Sequence, residues 1–395
     1  PWVETKQSAI ISSTFSAARW HQSRRRQILE VHPEVRTLCA ENDFWVFWLG
    51  AILIPCHFFL LWRSPEMTSQ EFFFHVMGVG SLRANWAIYC GHAISHGRWR
   101  RQVGPMGSVA FNTAIALANL GNAFQILPSY WLLHQSHHKS LGALPLNQAR
   151  ERAKQGRQTD GDLGIATRLF SPPAHKYSLF VDRIGGRIIP RQSEAIHQAL
   201  NLLVHALAPI SFAGYFFAAL RTDPQIADAP LRRSLAIQAA ASLAGYFLVA
   251  DMCAALGSLS PLGLYLTSSA VWLSPLNPNW IWTSPHLCTP GSLQPTVSFY
   301  TPRSGLGTFL DVYMGFENYH VEHHDFPEIP NYNLPKLRSI APEFYENLRA
   351  YEVLSLATWR EVMDATYFYA CQDALVAEEE ADRLAEPAMD SANLS

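Results

Sequence analysis

The sequence has few of the residues that several common functions would need. Its six cysteines are scattered with no CxxC pair, so a disulfide framework, an iron–sulfur cluster and a thiolate zinc site are all disfavoured. Only 16% of the residues are charged and the formal net charge is −2, so no polybasic surface for nucleic acid is predicted. The zinc-protease motif HExxH is absent, because Ala93 occupies the position of its glutamate. These absences argue against a hydrolytic zinc enzyme and a nucleic-acid-binding protein.

Apolar sequence is what the chain has in abundance. Of its 395 residues, 49% are hydrophobic and 12% are aromatic. At about 1.5 Å per residue, a helix needs close to 20 apolar residues to cross the roughly 30 Å hydrocarbon core of a bilayer. We predict such helices at residues 44–62, 72–90, 195–220 and 234–250. The predicted fold is therefore an all-α integral membrane protein with four transmembrane helices in two hairpins.

Charged and polar residues predict how the first hairpin is oriented. His75, Arg83 and Asn85 lie within the second predicted span, and we expect them to face the bundle interior because polar groups are costly in lipid. Arginines at 98, 100 and 101 follow that span, and basic residues favour the cytosolic side. We therefore expect the adjoining histidine motif to lie at the cytosolic face.

The rest of the chain is divided by composition. We predict a cytosolic N-terminal lead-in at residues 1–43 and a membrane domain at residues 44–376. The cytosolic helical cap of that domain comes from residues 92–194 and 251–376. Residues 377–395 are predicted to be an acidic disordered tail. The lead-in contains a short amphipathic pattern around Ile28 that ends near Pro33. We expect that segment to be a cytosolic, solvated helix.

Half of the 16 histidines fall in three short motifs, HAISH, HQSHH and HVEHH. Residues at i, i+3 and i+4 share one face of a helix, so each motif can direct its rings to one point. The eight histidines are His92, His96, His134, His137, His138, His320, His323 and His324. Eight imidazoles exceed the four ligands of one zinc ion, and imidazole also binds iron. The spacing therefore favours a histidine-rich dinuclear metal site, with iron as the metal.

These motifs, placed around two hydrophobic hairpins, resemble the membrane fatty acid desaturase and hydroxylase superfamily. The sequence NYHVEHHDFPEIP followed by LPKLRSIAPEFYENL looks like the sphingolipid Δ4-desaturases, and the lead-in RRRQILEVHPEVRTL is similar to the N-terminal segment of that family. The resemblance implies a multi-pass endoplasmic reticulum enzyme with a cytosolic diiron site. It also implies the reaction, the O2-dependent introduction of a 4,5-trans double bond into dihydroceramide.

The resemblance further implies a ligand set and an electron donor. The eight motif histidines would be metal ligands, and His286 is the candidate for a ninth ligand that such enzymes carry between the last span and the third motif. Electrons would come from NADH through a reductase and cytochrome b5. Both would be separate proteins, because no HPGG haem motif is present: His32-Pro33 is followed by Glu34-Val35. The chain departs from the family's usual pattern at Ala93 and at residues 274–290.

Several alternatives stay open at the level of sequence. A related diiron lipid hydroxylase, such as a sphinganine C4-hydroxylase, or a fatty acyl desaturase would use the same motifs. A non-catalytic membrane protein whose histidines hold a metal is an explanation from another class. Beside the third motif, Glu322 and Asp325 are candidate hydrogen-bond acceptors for the N–H groups of metal-binding histidines. The alternative for both is an exposed carboxylate near a helix end.

Overall fold

The structure is a computed structural model that describes residues 17–41, 45–96, 116–121, 229–271 and 294–358, with the single positions 109, 113, 134 and 138. Four of the sequence predictions lie outside these described residues: the span at 195–220, the tail at 377–395, and the ligands His137 and His286.

Most of the described chain is helical. The helices are α1 (Ala17–Val31), α2 (Val35–Leu38), α3 (Trp45–Arg63), α4 (Ser69–His75), α5 (Ser81–Ser95), α6 (Ala229–Leu256), α7 (Ser260–Val271), α8 (Gly305–Tyr313), α9 (His320–Asp325) and α10 (Leu334–Ile340). A π-helical turn, Val76–Gly80, joins α4 to α5. The helical state is thereby confirmed for three of the four predicted spans.

The described chain is mostly helical, as predicted, but it also contains two short strands that the prediction of an all-α fold did not include. Strands β1 (Ser298–Tyr300) and β2 (Ala350–Glu352) pair in parallel, with Ser298 opposite Ala350. The rings of Phe299 and Tyr351 stack across the pair, with centroids 5.4 Å apart. A three-residue strand is too short to produce an alternating pattern that sequence analysis can detect.

Helices α3 and α5 pack closely against each other. A Cβ atom at Gly50 would overlap the ring of Trp86, so only glycine permits this approach. The three polar residues of the second predicted span are buried, and Arg83 donates to Ser269 Oγ on α7 at 3.0 Å. The prediction that His75, Arg83 and Asn85 face the interior is therefore confirmed.

A helix that crosses a bilayer must be about 20 residues long and predominantly apolar. Within the described ranges, no helix combines the length and the apolar character needed to cross a membrane. The four transmembrane spans therefore stay a prediction.

The lead-in helix packs into the molecule, so the expectation that it is solvated is wrong. Apolar residues of α1 and α2, among them Ile28 and Leu38, form one buried cluster with Val321, Phe326 and Leu337 of the C-terminal part of the chain. An amphipathic pattern shows which face of a helix is apolar, but it does not show what will cover that face. Here the cover is the segment that carries the third histidine motif.

Candidate metal centre

The first histidine motif lies at the C-terminal end of α5. His92 and His96 are one helical turn apart, and their Nε2 atoms are 3.4 Å from each other. His92 is buried, with 1% of its surface exposed. The i, i+4 spacing brings the two rings together, as the sequence predicts.

The third motif forms α9, a six-residue helix that is buried along its whole length. Strand β1 anchors its N-terminal end: Asn318 Nδ2 donates to the carbonyl of Phe299 at 2.9 Å, and Val321 N donates to Ser298 Oγ at 2.9 Å. On α9 itself, the Nε2 atoms of His320 and His324 are 3.0 Å apart.

The second motif contributes the rings that connect the other two motifs. His134 and His138 have Nε2 atoms 2.9 Å apart, and His138 Nε2 is 3.0 Å from His323 Nε2. The His138 ring also stacks on His324, with centroids 4.3 Å apart. Five residues offer ligand atoms that all lie within 4.8 Å of one another: His92, His96, His134, His138 and His323. Nine ligands were predicted, and seven of them are among the described residues. All seven lie in one continuous cluster.

The spacing of the ring nitrogens fits metal binding. Imidazole binds first-row metals at about 2.1 Å, so two nitrogens on one ion are about 3.0–3.4 Å apart in octahedral or tetrahedral geometry. The neighbouring Nε2 pairs in the cluster are separated by 2.9–3.4 Å. Burial, reinforced by the neighbouring imidazoles, holds the pKa of His323 well below its ordinary value. His323 is therefore neutral near pH 7, which is the form that binds a metal.

Asp325 connects the third motif to the lead-in helix. Its Oδ1 lies 2.7 Å from Nδ1 of His21, and its Oδ2 accepts from Nε of Arg24 at 3.1 Å. Burial alone would lower the pKa of the Arg24 guanidinium, but the Asp325 carboxylate raises it above its ordinary value. The His21 ring lies beside His324, with centroids 5.1 Å apart. Asp325 therefore holds the residues around the cluster in place, and it is buried rather than exposed.

Glu322 is also buried and is tied to β1. Its Oε2 accepts from the hydroxyl of Ser298 at 2.7 Å, and its Oε1 accepts from the hydroxyl of Tyr300 at 2.6 Å. Burial raises the pKa of the Glu322 carboxyl, although both hydroxyl hydrogen bonds act in the opposite direction. The alternative of an exposed carboxylate is thus wrong for Glu322 as well as for Asp325. Its side-chain hydrogen bonds in the described part of the chain go to β1 and not to the imidazoles of the cluster.

One carboxylate near the cluster was not identified from the sequence. Glu317 Oε1 lies 2.6 Å from Nδ1 of His92, and both side chains are almost completely buried. Glu317 precedes the third motif by three residues, so its position in the sequence was a possible signal. Its partner belongs to the first motif, however, and sequence spacing cannot show a contact between two distant motifs.

Comparisons with known proteins agree with this geometry. The model of the fatty acid desaturase family matches residues 71–354, and the model of the sphingolipid Δ4-desaturase family matches residues 18–42. A sphingolipid Δ4-desaturase/C4-monooxygenase from Bos taurus is 26% identical over 87% of this chain and 88% of its own length. A sphingolipid Δ4-desaturase from Schizosaccharomyces pombe is 24% identical over 83% of this chain and 78% of its own length.

Proposed function

Since the chain belongs to the fatty acid desaturase family, we propose that it is a sphingolipid Δ4-desaturase, an oxidoreductase that introduces a 4,5-trans double bond into dihydroceramide. One observation carries the proposal. The segment that matches the sphingolipid Δ4-desaturase model forms α1 and α2, and it packs on the third histidine motif through Asp325 and a shared apolar cluster. The part of the chain specific to that family is therefore built into the surroundings of the histidine cluster.

The residues of the cluster would hold two iron ions. The ligands would be the seven described histidines, together with His137 and His286, which lie outside the described residues. The bound iron pair supplies the O2-dependent oxidation of an unactivated methylene, which no side chain can provide. Over the reaction the lipid loses two hydrogen atoms and O2 becomes two molecules of water, so two further electrons and two protons must be delivered.

The chain's own residues orient the site. Burial keeps His323 neutral, so its ring nitrogen is available as a ligand. Ser298 and Tyr300 hold Glu322 on the side of α9 that faces β1. Arg24 and His21 hold Asp325, which ends α9. Because these contacts hold α9 in place, the histidine rings that it carries need little rearrangement when a metal binds.

We also propose the location and the electron source that go with this function. The protein would be a multi-pass protein of the endoplasmic reticulum membrane with its active site on the cytosolic side. Cytochrome b5 and its reductase, as separate proteins, would pass electrons from NADH to the site. The lipid substrate would enter from the membrane.

A second candidate activity is C4-hydroxylation of the same sphingoid base. The Bos taurus and Homo sapiens relatives both carry the name desaturase/C4-monooxygenase, which favours this alternative. Both reactions begin by removing one hydrogen near C4 of the sphingoid chain. Desaturation then removes a second hydrogen from the neighbouring carbon, whereas hydroxylation adds an oxygen atom at C4, so a single cluster can support either.

Lipid analysis of cells that express the protein tests the proposal. The host is a yeast strain without its own Δ4-desaturase and C4-hydroxylase, fed deuterated sphinganine and analysed by mass spectrometry. We expect ceramide with a 4,5-trans double bond from the wild type and none from His320→Ala. If 4-hydroxylated base forms alone, the second activity is the correct one. If neither product forms although the purified protein contains iron, the proposed function is wrong.

A further inference from the structure

Glu317 makes the closest contact that a carboxylate has with the cluster in the described part of the chain. Its Oε1 is 2.6 Å from Nδ1 of His92, and the exposed fractions of the two side chains are 2% and 1%. Asn331 Nδ2 donates to the same oxygen at 2.7 Å. The contact joins the first histidine motif to the segment that precedes the third.

A strained turn places Glu317 at this position. Gly315 and Phe316 both have φ of 60°, a left-handed conformation that is uncommon for a side chain such as phenylalanine. A Cβ atom at Gly315 would overlap the ring of Tyr89, so the turn lies directly on α5. A strained conformation of this kind persists only where the surrounding structure holds it, and such positions often serve function.

The face of α5 that holds the turn is the face that carries His92. Residues 85, 89 and 92 are spaced at i, i+4 and i+7, which puts them on one side of the helix. Asn85 Nδ2 and the Tyr89 hydroxyl both donate to the carbonyl of Tyr313, at 3.0 Å and 2.7 Å. The carbonyl is therefore fixed two residues before the strained turn, and the turn then brings Glu317 onto His92.

Charge explains why a carboxylate at this position would serve a metal site. A buried carboxylate is costly unless positive charge or several hydrogen bonds compensate it. Asn331 Nδ2 and the His92 ring both contact Oε1. A neutral imidazole that donates from Nδ1 leaves the lone pair of Nε2 for a metal, and the metal's charge would stabilise the carboxylate through the ring.

From this geometry we infer that Glu317 is a positioning residue for His92. It selects the tautomer with hydrogen on Nδ1 and holds the ring so that Nε2 points to the metal. The inference rests on the proposed function in one respect, that the cluster binds metal.

Metal affinity tests this role directly. The full-length protein in detergent is stripped of metal and titrated with ferrous iron under anaerobic conditions against a chromogenic chelator. We expect Glu317→Gln to weaken iron binding about tenfold, because losing an outer partner of a metal-binding histidine costs about 10–100-fold in affinity. Glutamine keeps the size of the side chain and can still accept from Asn331. A loss that depends only on packing or on Asn331 would therefore not appear in this variant.

Asp311→Asn is the matched control. Asp311 is also a buried carboxylate of this segment, and it accepts hydrogen bonds from Thr301, Asn318 and Tyr319. No imidazole contacts it among the residues described here. We expect Asp311→Asn to lower stability and to leave iron affinity within about twofold of the wild type. Wild-type affinity in Glu317→Gln, or an equal loss in both variants, overturns the inference.

A double variant tests whether Glu317 acts through His92. In a His92→Ala background, Glu317→Gln is expected to weaken iron binding by less than about a further twofold, because the ring that Glu317 positions is gone. The full tenfold loss in that background overturns the inference. If His92→Ala leaves no measurable iron, the comparison with Asp311→Asn decides alone. The iron titration is independent of lipid products: the proposed reaction can fail while this coupling holds, and the reverse can also occur.

Discussion

At the residue scale, the property that matters most is the ring nitrogen of a buried histidine. A histidine binds metal only when it is neutral, and the nitrogen that faces the metal depends on what the other nitrogen contacts. His323 meets the first condition because burial lowers its pKa. Its Nε2 is 3.0 Å from that of His138, so it connects the second and third motifs.

His323→Ala should therefore remove metal from the protein. We expect iron per chain to fall to less than half of the wild-type value, and the lipid product to fall below detection. Elemental analysis of the purified protein measures the first effect. His32→Ala is the control, because His32 is a surface histidine outside the cluster. Wild-type iron content in His323→Ala would show that this ring is not a ligand.

Acidic residues next to a histidine motif illustrate what a single residue's position can and cannot predict. Glu322 and Asp325 were visible from the sequence as carboxylates beside the third motif. Their burial and their actual partners, Tyr300 on β1 and Arg24 on α1, were not visible. A carboxylate bonds to whichever donors the surrounding elements supply, and those donors come from distant parts of the chain.

At the element scale, the docking of α1 on α9 is the feature that differs most from the sequence prediction, which expected a solvated lead-in helix. Arg24 donates to Asp325 across this interface. It also donates to the carbonyl of Phe344 at 2.8 Å, and its guanidinium lies over the Trp20 ring of its own helix. Asp325 is completely buried, and Arg24 is nearly so. An isolated buried charge is costly, so these two residues depend on each other.

Arg24→Met should destabilise the protein, because it leaves Asp325 buried with less compensation. We expect a loss of about 3 kcal/mol in the free energy of unfolding, a typical cost of breaking a buried ion pair. Thermal unfolding in detergent, followed by tryptophan fluorescence, would report the change. Arg26→Met is the control on the same helix, since Arg26 is exposed. An unfolding temperature as high in Arg24→Met as in Arg26→Met would contradict the predicted role.

Helical state was predicted correctly where local pattern decides it. The amphipathic helix around Ile28 ends before Pro33, and the described residues of the apolar segments at 44–62, 72–90 and 234–250 are helical. Strands β1 and β2 were missed because each is three residues long and the pairing joins distant segments. Helical state is a local property, whereas pairing and docking depend on what the rest of the chain brings alongside.

At the scale of the whole molecule, an ion pair joins the end of the lead-in to the C-terminal part of the described chain. His32 Nε2 is 2.5 Å from Glu343 Oε1. The hydrogen bond to Glu343 raises the pKa of His32 above 6.5, and the hydrogen bond to His32 lowers the pKa of Glu343 below 4.5. The pair is at the surface, so its contribution is below about 1 kcal/mol.

The two shifts define a pH window for this contribution. A raised histidine pKa adds stability that is complete below 6.5 and is lost as pH rises through the folded-state value. A lowered glutamate pKa adds stability that is present above 4.5 and is lost as pH falls through the folded-state value. We therefore expect the wild type to exceed Glu343→Gln in unfolding temperature near pH 6 and to equal it at pH 9. The same difference at both pH values would rule out this pair as its source.

By itself, the sequence determined the chemistry of the centre and the family of the chain. The i, i+3 and i+4 spacing of histidines is a local property, so the face of each helix and the preference for metal could be derived before any contact was known. The tertiary structure alone decided which groups surround those rings. It brought Glu317 to His92 and Arg24 to Asp325, and it covered the third motif with the lead-in helix. Such contacts join residues far apart in the chain, and the packing of several elements at once selects them.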